Sequence, residues 1–126
     1  MPADDRALED LRREIDEIDD AIHDLLIRRS EVTRRIGALK NDNGNRMRPG
    51  REAMVLRRLI ARHRGSFPKA LIVRIWREIF AAGTALQGPL AVAVYAPEGT
   101  FGYRNLARDH FGWRTPITAY KSAAQV

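Results

Sequence analysis

The most constraining feature of this sequence is an apolar pattern that extends from Leu8 to Leu39. Hydrophobic side chains recur at steps of three and four, the spacing of one face of an α-helix, at Leu8, Leu11, Ile15, Ile18, Ile22, Leu25, Val32, Ile36 and Leu39. Such a helix spans about 50 Å at ~1.5 Å per residue. The rest of a 126-residue chain is too short to cover it. The pattern therefore predicts that two copies pair their first helices in a homodimer.

Two shorter helices are predicted to follow the first. Turn-forming residues 41–45 end the first helix, and Pro49 suits the first turn of a second helix that continues to about Arg64. After a further break, apolar residues recur with helical spacing until Gly88-Pro89 stops a third helix. We therefore predict an all-α fold of three helices, with residues 1–88 as one domain.

The sequence changes character after Gly88-Pro89. A short apolar run at 90–95, a turn, a helical stretch at 101–111 and a second apolar run near 117–120 predict the start of an α/β unit. About 37 residues bury too little surface to be stable alone. We therefore expect residues 89–126 to dock on the helices and to be the incomplete start of a longer domain.

Charge is unevenly distributed along the chain, whose net charge is +6. Residues 1–24 contain ten Asp or Glu and three Arg, whereas residues 25–88 contain fifteen Lys or Arg and four acidic residues. Antiparallel pairing of two first helices would bring the acidic half of each copy near the basic half of the other. The basic excess also predicts an anionic partner, which could be nucleic acid, a membrane surface or a small acid.

Composition excludes several kinds of chemistry. The chain has no cysteine, which excludes disulfides, thiolate catalysis and cysteine-bound zinc. His23, His63 and His110 do not have metal-ligand spacing, so we predict no metal site. No apolar stretch approaches the ~18 residues of a membrane span, and the acidic start is unlike a signal peptide. We predict a cytoplasmic protein that does not bind a membrane.

Position 29 interrupts the apolar pattern of the first helix with an arginine. A buried charge without a partner is costly, so Arg29 requires an anion, either a protein carboxylate or a ligand. Guanidinium groups are well suited to bidentate recognition of carboxylates. The alternative is an arginine whose long side chain extends out of the helix seam to solvent.

Lys40 and Arg12 are further candidates on the same helix. Lys40 lies eleven residues after Arg29, close to three turns, so both cations point to one side about 16 Å apart. Lys40 could instead be a solvated lysine at the helix C-terminus. Arg12 lies seventeen residues before Arg29, rotated by roughly 100° and displaced by ~25 Å, so the two cannot share a site within one copy. An antiparallel homodimer would make a shared site possible.

Several segments together resemble the all-helical chorismate mutases. They are Leu11–Asp19, Leu25–Arg29, Ile36–Lys40, the Arg51-Glu52 pair and Gln87, all within residues 5–88. Taken alone, Glu52 is a carboxylate favoured by a helix N-terminus, and Gln87 is an ordinary residue at a helix end. The resemblance implies an intertwined homodimer that converts chorismate to prephenate without a metal or a cofactor.

The resemblance also implies a role for each matched residue. Arg12 would enter the partner's site, where it and Arg29 would bind the carboxylates of the substrate, and Arg51 is a further active-site arginine. Lys40 and Gln87 would donate hydrogen bonds to the ether oxygen whose bond to carbon breaks. Glu52 would hold the substrate hydroxyl.

Two positions depart from the pattern of the family. Gly83 occupies the turn where relatives commonly have a hydroxyl residue, and Arg48 lies near where some have an aspartate. We place Gly83 at the substrate, on the side of the ring hydroxyl. Because glycine costs about 1 kcal/mol within a helix, it suggests close packing or the approach of a ligand.

The C-terminal segment has a resemblance of its own. Residues Val92–Gly102 resemble the opening of a prephenate dehydratase domain, which follows the mutase in fused enzymes and supports a role in phenylalanine biosynthesis. The segment is too short for that domain and lacks its threonine-containing motif. We predict no dehydratase activity.

Three other functions fit parts of the sequence. Isochorismate pyruvate lyases share the fold and a similar cationic pocket, although the dehydratase-like segment argues against this activity. A basic helical dimer could bind nucleic acid through Arg28-Arg29, Arg34-Arg35 and Arg57-Arg58, but an acidic first half and an arginine within the seam are poor features for a phosphate track. A non-catalytic helical dimer that regulates a partner enzyme is the third.

Overall fold

The structure is a computed structural model that describes residues 2–39 and 48–126. The chain forms four α-helices, two strands and a short 3-10 turn within these ranges, namely α1 (Ala3–Leu39), α2 (Pro49–Arg62), α3 (Lys69–Gln87), β1 (Val92–Tyr95), α4 (Phe101–Phe111), β2 (Ile117–Tyr120) and the turn Ala123–Gln125. The predicted all-α fold with a small α/β segment is confirmed. The predicted turn at residues 41–45 and the side chain of Lys40 lie outside the described residues.

The elements divide into two compact units. The first is α1, and the second contains α2 and everything after it. None of the α1 side chains between Ala3 and Leu39 is buried, and residues of its apolar face, such as Leu11 at 59% exposure, are open to solvent. Along its polar face, Arg13 pairs with Asp10, and Arg34 pairs with Glu31 at 3.2 Å. Exposed pairs of this kind stabilise a helix only slightly.

The second unit is organised by the packing of α2 against α3. Val55 and Leu56 of α2 are among its buried core residues. The helix ends at Arg62, two residues before the predicted end, because His63 adopts an extended backbone and Gly65 a positive φ of 89°. Burial of these apolar side chains is the main stabilising contribution in this part of the unit.

The C-terminal segment is a β-α-β unit. Strands β1 and β2 pair in parallel, with Val92 opposite Ile117 and Tyr95 opposite Tyr120, and α4 forms the crossover. The ladder begins at Val92, whose N–H donates to the carbonyl of Pro116, rather than at the predicted residue 90. Helix α4 packs against both strands and against α3. The segment is therefore docked on the helical part of the second unit, as its small size requires.

Among the residues that the structure describes, no helix combines the length and the apolar character needed to cross a membrane.

Candidate active site

The first turn of α2 carries the predicted Arg51-Glu52 pair. The N–H of Glu52 donates to the carbonyl of Arg48 at 2.9 Å, and the carboxylate lies in the turn where a helix dipole favours negative charge. The two side chains differ in environment, because Arg51 is exposed whereas the Glu52 side chain is only 13% exposed. Glu52 is therefore the member of the pair whose charge needs a partner inside the protein.

That partner is Arg77 of α3. Its Nη1 donates a hydrogen bond to Oε1 of Glu52 at 3.3 Å, and its side chain is only 20% exposed. Desolvation by burial raises the pKa of Glu52 above its ordinary value of 4.5, and the charge and hydrogen bond of Arg77 act in the opposite direction. Arg77 thus favours the ionised form of this carboxyl group, whereas burial favours the protonated form.

The sequence does not single out Arg77. A half-buried Glu52 requires a cation, and the cations of α3 are Lys69, Arg74 and Arg77. Which of these faces α2 depends on the rotation of α3 about its axis, and that is decided by packing. What the sequence offers is the carboxylate of Glu52 itself, because a carboxylate that becomes buried requires a cation on a neighbouring helix.

Gly83 and Gln87 lie on the last two turns of α3. They are four residues apart, so they share one face of the helix. Gly83 is buried, in agreement with the close packing expected for a helical glycine, and Gln87 is half-buried. The helix ends at Gln87, and Gly88 follows with a φ of 144°, which glycine adopts readily. The N–H of Gly88 donates to the carbonyl of Ala85 at 3.2 Å.

The neighbouring residue Thr84 is also buried but lies against the C-terminal segment. It lines a cleft of about 460 Å³ between the end of α3 and the residues around Leu90 and Thr115. Gly83 and Gln87 are not among the residues that line this cleft. Thr84 therefore lies at this cleft beside the C-terminal segment.

Two further predicted site residues, Arg12 and Arg29, belong to α1. Arg12 is exposed and donates to Glu9 at 3.0 Å, whereas Arg29 is half-buried. Arg51, Glu52, Gly83 and Gln87 are in the second unit, and Lys40 lies outside the described residues. Within the second unit, the packing of α2 on α3 brings together Glu52 and Arg77. No three His, Asp or Glu side chains of residues 2–39 and 48–126 cluster as a metal site would require.

Comparison with known proteins identifies the class of protein. The sequence model of the family "Chorismate mutase type II" matches residues 11–88, which include α2, α3 and most of α1. The chain belongs to the chorismate mutase type II family, whose members are isomerases. The resemblance of residues 5–88 to the all-helical chorismate mutases is confirmed.

Individual relatives are longer than this chain. A bifunctional chorismate mutase/prephenate dehydratase of Neisseria gonorrhoeae is 39% identical over 101 residues, which cover 80% of this chain and 27% of the relative. An enzyme of the same name from Aquifex aeolicus is 33% identical over 116 residues, 88% of this chain and 32% of the relative. The chain thus spans about 30% of the length of these relatives. Because residues 1–88 make up only about 70% of the chain, both matches extend past Gly88.

Proposed function

We propose that this chain is a chorismate mutase that catalyses the Claisen rearrangement of chorismate to prephenate in aromatic amino acid biosynthesis. The observation that carries the proposal is the extent of the family match. Residues 11–88 contain every site residue predicted from the sequence, from Arg12 to Gln87. The names of the relatives include the same activity.

The proposed site is cationic, as a dianionic substrate requires. Arg12 and Arg29 would bind the two carboxylates, with Arg51 as a third arginine of the site. Lys40 and Gln87 would donate hydrogen bonds to the ether oxygen of the substrate. Glu52 would accept a hydrogen bond from the substrate hydroxyl, and Gly83 would line the same side of the pocket.

Such a site can catalyse the reaction by position and charge. In a Claisen rearrangement one C–O bond breaks while a C–C bond forms within the same molecule, so electrons are redistributed inside the substrate. Arginines that hold both carboxylates select the compact conformer in which the reacting carbons meet. Lys40 and Gln87 stabilise the negative charge that develops on the ether oxygen, an effect that is larger in the transition state than in the ground state.

We propose that the active form is a homodimer in which Arg12 of one protomer enters the site of the other. The support is the apolar face of α1, a 37-residue helix without a buried side chain in the single chain. A contiguous exposed face of this kind marks an association surface. The rotation of roughly 100° and the ~25 Å between Arg12 and Arg29 require that these two arginines meet across two copies.

The C-terminal segment is proposed to be a dehydratase-like unit that follows the mutase domain. Its support is that the relatives match this chain past Gly88 and that the segment forms a β-α-β unit between Val92 and Tyr120. The domain boundary at residue 88 and a cytoplasmic location are parts of the same proposal.

The decisive experiment is an assay of the purified chain with chorismate and, separately, with isochorismate. We expect prephenate from chorismate and no pyruvate from isochorismate. Pyruvate from isochorismate without prephenate would establish the lyase activity instead, and the absence of both products would refute an enzymatic function.

Variants of one arginine test the site itself. Arg29→Ala should abolish conversion of chorismate while the protein stays dimeric by size-exclusion chromatography. Arg28→Ala, which removes an exposed arginine from the adjacent position, is the matched control and should retain activity. Full activity of the Arg29 variant would remove the central residue of the proposed site.

A further inference from the structure

We propose that Arg77 is a positioning residue of this site, which holds the Glu52 carboxylate in the orientation that receives the substrate hydroxyl. The inference rests on the proposed function, because Glu52 has a substrate to receive only if the chain is a mutase. Nη1 of Arg77 donates a hydrogen bond to Oε1 of Glu52 at 3.3 Å, and this contact connects α3 to the first turn of α2.

The geometry of the pair suits a residue that supports another. Arg77 binds Oε1 of Glu52 and does not occupy Oε2, so one carboxylate oxygen is fixed while Arg77 leaves the second for a ligand. Both side chains are more than three quarters covered, which limits the orientations that the carboxylate can adopt. A hydrogen-bonded support of this kind is how proteins keep a binding group in one geometry.

A purely structural role explains the pair less well. Two desolvated charges contribute little net stability, and a pair of apolar side chains of similar size would often stabilise the contact more. The core beside the pair is apolar, with Val55 and Leu56 buried one turn along α2. An ion pair kept in such a place is better explained by the need for an ionised Glu52 than by packing.

The other side of Arg77 is covered by the C-terminal segment. Arg77 lines a groove between α3 and α4 together with Arg74, Asp109 and His110. Burial and then the charge of Arg77 lower the pKa of His110, and both therefore favour its neutral imidazole. Asp109 is exposed and forms no ion pair with Arg77, so among the described residues Glu52 is the carboxylate that Arg77 binds.

The test compares Arg77→Met, Glu52→Gln and the double variant in the chorismate assay. We expect each single change to lower kcat/KM by about tenfold or more, the size associated with losing one hydrogen bond to a charged group. The loss should appear mainly as a higher KM, since the substrate hydroxyl is present in both the ground and transition states. If Arg77 acts through Glu52, the double variant should be no worse than Glu52→Gln.

Arg74→Met is the matched control. Arg74 lies on the same helix and lines the same groove, but it forms no ion pair among the described residues. We expect its kcat/KM to stay within about twofold of the wild type, the range of exposed substitutions. Arg77→Lys keeps the charge and should restore most of the activity. Arg77→Gln, which removes the charge but keeps a polar side chain, replaces the methionine variant if the latter does not fold.

The pH profile separates positioning from a general loss of structure. Without Arg77, the influence that lowers the pKa of Glu52 is removed, so the acidic limb of kcat/KM should move to higher pH and return in Arg77→Lys. An Arg77→Met enzyme with wild-type kcat/KM and an unmoved acidic limb would overturn the proposal. A double variant whose loss of transition-state stabilisation, in free energy, equals the sum of the two single losses would also overturn it.

A second measurement keeps this inference separate from the proposed function. The titration of Glu52, followed by carboxyl ¹³C NMR of the full chain, should shift to higher pH in Arg77→Met whether or not the protein is active. Inactive wild-type protein would refute the mutase function and with it the substrate role of the pair. An unshifted titration in an active enzyme would refute the role of Arg77 alone.

Discussion

The carboxylate of Glu78 accepts the backbone N–H of Trp113, with Oε1 at 3.1 Å and Oε2 at 3.3 Å, across 35 residues of sequence. This contact anchors the chain directly after α4 to the middle of α3. Glu78 follows Arg77 directly in α3, so two adjacent residues of this helix contact two different elements of the second unit. Arg77 binds α2, whereas Glu78 binds the C-terminal segment.

We expect Glu78→Gln to loosen the C-terminal segment. The substitution weakens the hydrogen bond from the backbone N–H of Trp113 because it removes the charge of the acceptor. Trp113 is exposed, so the expected loss in the free energy of unfolding is about 1 kcal/mol. Urea denaturation of the full chain measures this loss. Glu98→Gln, in the exposed turn after β1, is the control and should leave stability unchanged. Equal stability of the Glu78 variant would show that the contact is not an anchor.

Gly112→Ala should destabilise the chain more strongly. Gly112 has a φ of 92°, and a Cβ built there would lie 2.5 Å from the Cβ of Ala81 and 3.2 Å from Oε2 of Glu78. Backbone strain and overlap therefore act together, and we expect a loss of about 2 kcal/mol or more in thermal or urea unfolding. Gly102→Ala is the matched control, because Gly102 is helical with nothing within 4 Å of a new Cβ. That variant should be neutral or slightly more stable.

The shared site predicts that two inactive variants restore activity when mixed. In a heterodimer of Arg12→Ala and Arg29→Ala protomers, one of the two sites regains both arginines and the other loses both. Random exchange of subunits in a symmetric dimer should therefore restore about a quarter of the wild-type activity. Each variant alone is the control and should remain inactive. A mixture that stays inactive after verified exchange would show that Arg12 acts within its own protomer.

Stability should also depend on the ionisation of Glu52. Because burial raises its pKa in the folded protein above 4.5, the folded state binds a proton that the unfolded state has released over the window between the two values. The contribution of Glu52 to stability is therefore greatest below its unfolded pKa and decreases as the pH rises through its folded pKa. The difference in unfolding free energy between wild type and Glu52→Gln should decrease over that window in urea titrations. A pH-independent difference would contradict the raised pKa.

Much of the candidate site could be predicted without coordinates. Arg29 is marked by its place in an apolar repeat, and Arg12 and Lys40 are related to it by the regular rotation of one helix. These are local properties of a single element. The pairing of Glu52 with Arg77 and the anchoring of the chain by Glu78 are not, since each depends on how one helix is rotated against its neighbour.

Sequence patterns and tertiary contacts determine different properties because the first act between neighbouring residues and the second between residues far apart in the chain. By itself the sequence determined the number and order of the α-helices and strands in the described residues, because helical periodicity, proline and glycine act over a few residues. It also determined the family, through residues whose order on the helices is specific. The tertiary structure alone decided that Arg77 rather than Arg74 neutralises Glu52, and that Gly112 closes against Ala81. Those choices arise from side-chain packing between elements far apart in the chain, where burial and close contact select one rotation of each helix.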